Sequence, residues 1–197
     1  MAIELRDISK RYGDKQVLEN INLTLEEGIS CIMGPSGRGK TTLAYIIAGL
    51  VLADSGSIEG CEGKRSAFMF QEDRLLEWES AIRNVLFVCK SARKNYKKAH
   101  QLLVEAGLAD SINVKASKLS GGMKRRVCLC RALIADYEIL ILDEPFKGLD
   151  SGIKPALMKM VQDYVLNSAG KTVICITHDP AEAEFLGGRL ISFSSAP

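Results

Sequence analysis

An α/β fold built on a mostly parallel sheet is predicted by three features of the sequence. Short apolar runs of strand length occur in ISCIMG, EILILDEP and TVICIT, each read as a buried strand. Stretches of helical length alternate with them, the order expected of a covered parallel sheet. The opening residues behave differently: Ile21, Leu23 and Leu25 alternate with polar residues before Gly28 closes a turn, which predicts an N-terminal antiparallel β patch.

Taken in order, IELRDISKRY and VLENINLTLEEG form the first two strands, and ISCIMG runs into Gly34. A glycine-rich turn then leads into the apolar helix TTLAYIIAGL. SIEG and RSAFMFQ read as further short strands. After Gln71 the sequence becomes helix-compatible from Ser80 to Ala109, with basic residues at 93–98, and predicts an inserted α-helical subdomain at about 72–119 within a single domain spanning 1–197. Beyond LSGG a helix is expected from about Gly122 to Ile134, then the strand EILILDEP, a helix near Lys154 to Ser168, the strand TVICIT, a short helix after Pro180 and the strand RLISFS.

Composition narrows the classes. At 197 residues the chain is long enough to bury a substantial core, and 47% apolar with 25% charged residues is an ordinary globular mixture. A net charge of +2 argues against a dedicated nucleic-acid binder. The longest apolar run, 43–53, falls short of the roughly 20 residues that span a bilayer, and the opening MAIELRDISK has no signal-peptide hydrophobic region, so a cytosolic chain is expected. Six cysteines lack Cys-x-x-Cys spacing and clustered histidines; reduced, mostly buried thiols are expected rather than a zinc site. Cys128 and Cys130, two apart on a helix, cannot face each other.

The residues with chemistry begin at GPSGRGKT, which satisfies G-x-x-x-x-G-K-[ST] in full between a strand and a helix. Gly34, Pro35, Ser36, Gly37, Arg38 and Gly39 supply a loop whose backbone N–H groups can turn toward phosphates, and the helix N-terminus adds a favourable dipole. Lys40 reaches the β- and γ-phosphates, Thr41 ligates magnesium and Thr42 donates to the α-phosphate. ILILDE delivers Asp143 and Glu144 to the carboxyl end of a buried strand, where ligands bind in such sheets. Asp143 suits magnesium, directly or through water, and Glu144 suits polarising the water that attacks the γ-phosphate.

KLSGGMKRR poses a separate problem. It resembles half of a phosphate loop where the chain has no second phosphate to hold, and its alternative reading is a serine N-cap with glycines easing a tight turn. GPSGRGKTT, LSGGM and ILILDEP together resemble the ATPase subunits of ATP-binding cassette (ABC) proteins over nearly the whole chain, which gives the expected fold its P-loop NTPase, ABC-type core. In that family two subunits pair head to tail, and each presents this loop to the γ-phosphate held by the other. The resemblance therefore assigns Ser120, Gly121 and Gly122 to a nucleotide bound by a second copy of the chain.

The same resemblance matches Tyr12 to the aromatic that stacks on adenine, Gln71 to the glutamine that senses magnesium and attacking water, Asp150 to the dimer-seam aspartate and His178 to the switch histidine at the γ-phosphate. It implies ATP and Mg2+ as ligands, ATP hydrolysis, and a homodimer closed by ATP. It further implies membrane permease subunits as partners, a solute-binding protein indirectly, and a place on the inner face of the cell membrane. QEDRLLEW and GGMKRRV look most like the nitrate, sulfonate and taurine importer branch, in which proline commonly stands where this chain has Glu77. Leu75, Leu76 and Trp78 would then line or support a groove for a permease helix, with ordinary subdomain core as the alternative. Lys147 replaces a residue that is usually small in the family. The chain stops soon after RLISFSSAP, and an appended regulatory domain is not expected. The competing class is a soluble ABC ATPase of repair, translation or cluster assembly; repair versions usually insert zinc modules or long coiled coils and translation factors usually carry two cassettes, and neither occurs here.

Overall fold

The computed structural model describes residues 2–166 and 170–193. In chain order the elements are β1 (Ile3–Tyr12), β2 (Lys15–Leu25), β3 (Gly28–Met33), α1 (Lys40–Ile47), β4 (Ser55–Glu59), β5 (Ser66–Met69), α2 (Ala81–Leu86), α3 (Ala92–Glu105), α4 (Gly121–Ile134), β6 (Ile139–Asp143), α5 (Lys154–Leu166), β7 (Thr172–Ile176), α6 (Pro180–Leu186) and β8 (Arg189–Ser192). They fall into two compact units: one drawn from Met1–Phe68, Tyr137–Asp143 and Ser168–Pro197, the other from Met69–Asp136 and Glu144–Asn167.

In the first unit, β2, β1 and β4 form an antiparallel sheet, with β1 and β2 joined by a tight turn between Tyr12 and Lys15. The predicted alternation holds in β2: Ile21 and Leu23 are half-buried and Leu25 fully buried, while Asn22 and Thr24 face water. The other sheet runs β5-β6-β7-β3-β8, and its β6–β7, β7–β3 and β3–β8 pairs are parallel. All five residues of β6 and all five of β7 are buried, as continuous apolar strands covered on both faces should be. One core cluster joins Ile3, Leu5 and Ile8 of β1 to Leu43, Ile46 and Ile47 of α1 and to Ile139, Ile141, Ile174 and Ile176 of the parallel strands.

Register positions the chemistry. Ile176 is the Cα partner of both Ile32 and Asp143, so β3, β6 and β7 end together at one sheet edge. Gly34, Asp143 and the residues after Ile176 therefore leave from the same carboxyl-terminal edge, as open α/β sheets require of a ligand site.

The second unit is helical. Ser80 and Ser91 accept hydrogen bonds from Arg83 N and Lys94 N and so cap α2 and α3. Ala99, Leu102 and Leu103, spaced three and four apart, form the buried stripe of α3. Asn84, fully buried, accepts from Leu76 N at 2.8 Å and donates to the carbonyls of Leu76, Glu79 and Ser80, tying the segment before α2 to the helix.

Boundaries moved by small amounts. The region 80–109 holds two helices separated by 87–91, and α1 stops at Ile47, just before Gly49 turns left-handed at φ 71°. β5 ends at Met69, short of Gln71. Residues 167–168 of the expected helix and residue 194 of the expected final strand lie outside the described residues. Cys31, Cys128, Cys130 and Cys175 are buried, matching the expected thiol environment. Cys128 Sγ lies 2.7 Å from the Asp73 carbonyl and Cys130 Sγ 3.4 Å from that of Leu102, so the two point to different neighbours as predicted. Burial pushes the Cys128 thiol up to about 12, which leaves it protonated at neutral pH.

Candidate functional site

The loop between β3 and α1 is shaped by three glycines with different constraints. A Cβ on Gly34 would stand 2.2 Å from the Phe193 carbonyl oxygen, so the backbone approach excludes any side chain. Gly37 and Gly39 adopt φ of 77° and 88°, and a Cβ on Gly39 would also meet Val17 O and Leu18 Cδ2 at 2.7 Å. Pro35, Ser36 and Arg38 are exposed.

Lys40, the first residue of α1, is 8% exposed, and its Nζ donates to the Gly34 and Pro35 carbonyls at 2.7 Å each. The ammonium thus sits inside the curve of its own loop. Thr41 Oγ1 donates to Asp143 Oδ2 at 2.9 Å, and Asp143 is 1% exposed. A hydroxyl and a carboxylate side by side at the strand edge are hard oxygen donors that fit magnesium better than a soft metal. Thr42 lies half-buried in the first turn of α1.

His178 follows β7 at the same edge and is exposed. The residues around it are held tightly: Thr177 N donates to Ile32 O, Thr177 Oγ1 donates to the buried Glu182, and Asp179 N donates back to Thr177 Oγ1 at 3.1 Å. Asp179 Oδ1 caps α6 by accepting from Ala181 N. Tyr12, at the tip of the β1–β2 hairpin, is 49% exposed, and the β2 residues Val17 and Leu18 pack over Gly39.

The second unit carries the other candidates. Arg125, 6% exposed, donates through Nη1 to the carbonyls of Phe70 and Gln71 at 2.8 Å and through Nη2 to that of Glu144 at 2.6 Å. One α4 guanidinium therefore fixes the main chain at two candidate catalytic residues. Gln71 leaves its side chain exposed. Glu144 holds the left-handed φ of 49°, a conformation uncommon outside glycine, and its side chain is 13% exposed. Strain of this kind persists where surrounding contacts enforce it, and the Arg125 bond is one such contact.

Ser120 caps α4 by accepting from Met123 N at 3.3 Å, so the N-cap reading of this serine holds. The glycines that follow have no equivalent internal role. Gly121 and Gly122 take no left-handed φ; a Cβ on Gly121 meets nothing within 4 Å, and one on Gly122 meets only ordinary contacts at 3.8 and 3.9 Å. Asp150 is exposed, and its carbonyl accepts from Ile153 N and Lys154 N at the start of α5.

Arg125, Glu182, Thr177 and Asn84 were absent from the predicted set. Arg125 lies three and four residues before the buried Cys128 and Leu129, so its helical face was a readable signal that it is not solvated. Glu77, where the branch resemblance leads one to expect proline, pairs with Lys124 Nζ at 2.9 Å while its carbonyl accepts from Ser117 N. A groove of about 500 Å³ is lined by Ile82, Arg83, Leu86, Phe87, Tyr96 and their neighbours. Leu75, Leu76 and Trp78, which were expected to line a groove, are not among its lining residues, although Trp78 is 69% exposed. Among the described residues no helix is long and apolar enough to cross a membrane.

A family model described as ABC transporter matches residues 18–147. The chain is 40% identical over 196 residues to the aliphatic sulfonates import ATP-binding protein SsuB 1 of Rhodococcus jostii (strain RHA1), covering 97% of this chain and 78% of that protein. It is 38% identical over 211 residues to the taurine import ATP-binding protein TauB of Escherichia coli (strain K12), covering 99% and 80%. Among solved structures, the dimeric post-hydrolysis state of the ATP-binding cassette MJ0796 bound to ADP and Pi superposes with a TM-score of 0.84 at 29% identity, over 98% of this chain and 94% of that one.

Proposed function

This chain belongs to the ABC transporter family and is an ATP-binding and ATP-hydrolysing subunit; from that premise we propose that two copies close head to tail on ATP and power import through separate membrane permease subunits. The single observation that carries the head-to-tail reading is the pair of glycines at the start of α4: neither takes a left-handed φ and neither is crowded within the protomer, which leaves this backbone open to close approach by a neighbour. The dimeric form of the similar cassette supports the same pairing.

In this reading the loop N–H groups of residues 34–39 and the Lys40 ammonium hold the β- and γ-phosphates. The ammonium exchanges its two carbonyl acceptors for phosphate oxygens, which bear charge and so make stronger hydrogen bonds. Thr42 contacts the α-phosphate and Tyr12 stacks on the base. Thr41 and Asp143, with Gln71, would hold Mg2+, which when bound neutralises charge on the phosphates. Glu144 accepts a hydrogen bond from the attacking water and orients it, and His178, presented by the rigid turn between β7 and α6, contacts the γ-phosphate. Ser120, Gly121 and Gly122 of the second copy supply donors on the far side of the phosphates, and Asp150 lies at the seam.

The apolar groove beside Phe87 and Tyr96 is the surface we assign to a permease helix, with Arg83 at its rim. The names of the relatives support import of a sulfonate-class solute, and in this reading a binding protein presents the solute outside the cell while this subunit sits on the inner face of the membrane. Coexpression with the multispan subunit encoded nearest to it tests this directly. A tagged chain should copurify with that subunit from detergent-solubilised membranes, and its ATPase rate should rise when binding protein loaded with an alkyl sulfonate is added to the reconstituted complex. Recovery of the chain only as a free protein, with a rate indifferent to membranes and binding protein, would contradict it and favour a soluble ATPase.

A further inference from the structure

Lys147, where the family resemblance leads one to expect a small residue, is given a partner by the structure. Its Nζ lies 2.5 Å from Glu144 Oε2, three residues back in the turn after β6. The lysine side chain is 52% exposed and the glutamate 13%, so one end of the pair is in water and the other in protein. The main chain beneath them is fixed: Lys147 N donates to the Glu144 carbonyl at 3.2 Å, and Arg125 Nη2 donates to the same oxygen at 2.6 Å. With that backbone held at φ 49°, the pair opens by movement of the side chains rather than of the turn.

We propose that Lys147 is a positioning residue that restrains hydrolysis, holding the Glu144 carboxylate in a resting ion pair that opens before the carboxylate can accept a hydrogen bond from the attacking water. The inference rests on the assignment of Glu144 as that acceptor. A carboxylate oxygen paired with an ammonium is a poorer acceptor for water, because its charge is partly neutralised. The exposure of the lysine matters equally. An ion pair open to solvent on one side is weak, so the restraint is graded rather than absolute, and the flexible lysine stem can release into water without disturbing the turn.

The consequence is a subunit that idles slowly and whose rate is limited by how often the pair opens. Steady-state hydrolysis of MgATP by the purified chain tests this with Lys147→Ala, Lys147→Arg and Glu144→Gln. Loss of the pair in Lys147→Ala should raise kcat about twofold to fivefold at unchanged KM, the size expected for a half-exposed ion pair. Lys147→Arg should bring the restraint back, and melting temperatures should not follow the rates. An unchanged or lowered kcat in Lys147→Ala, with Glu144→Gln inactive, overturns the restraint while leaving the role of Glu144 intact. A Glu144→Gln chain as fast as the parent overturns both.

Discussion

Glu144→Gln should reduce the turnover of ATP about 100-fold to 10,000-fold, the usual contribution of a positioned general base, while leaving ATP affinity close to that of the parent. Glutamine matches glutamate in shape but cannot accept a proton at neutral pH. The backbone of this position is held independently of its side chain, through the Arg125 bond to its carbonyl, so the substitution removes chemistry rather than structure. Single-turnover hydrolysis of labelled ATP reads the rate, and calorimetry with the same nucleotide reads the affinity. A parent-like rate would remove Glu144 from the mechanism, and a parallel loss of affinity would show that it acts in binding instead.

Lys40→Ala should weaken ATP binding about tenfold to a hundredfold, because it deletes charge-assisted hydrogen bonds worth about 1.5–3 kcal/mol. The protomer should fold without it. Its two acceptors, the Gly34 and Pro35 carbonyls, lie at the start of the exposed run 35–38, where water can replace the ammonium. The loop conformation itself is set by glycine sterics and by the Phe193 backbone, not by the lysine. Calorimetric titration in a Glu144→Gln background avoids hydrolysis during the measurement. An affinity equal to that of the parent would contradict the role assigned to Lys40, and a collapsed circular dichroism spectrum would mean that the lysine is structural.

The sequence was most legible where chemistry coincides with local constraint. GPSGRGKT announces a phosphate loop because its glycines, lysine and threonine are fixed within eight consecutive positions, and the structure places that loop between β3 and α1 as expected. The buried strands β6 and β7 were readable because continuous apolar runs need both faces covered. The burial of Arg125 was readable from its helical face, but its partners were not. Its value lies in three carbonyl partners at Phe70, Gln71 and Glu144, far away in sequence, and only folding brings them to it. The Lys147 partner was three residues away and still hidden, because the turn geometry that aims one side chain at the other depends on the left-handed Glu144 backbone. Leu75, Leu76 and Trp78 look suited to an apolar surface, but how the segment before α2 bends depends on the buried Asn84, which bonds Leu76 from eight residues away.

The central claim is that each ATP is enclosed by the loop of one protomer and the glycine pair of another. Gly121 tests it cleanly, since its position has open space for a side chain within the protomer and no conformational demand for glycine. Sedimentation equilibrium of the Glu144→Gln chain in saturating ATP, with and without the added Gly121→Arg change, is the decisive measurement. The account predicts that the mass of the single variant doubles from 21.5 kDa on ATP addition, while the double variant binds ATP and stays monomeric. An ATP-bound single variant that remains a monomer, or a double variant that dimerises just as well, would contradict it.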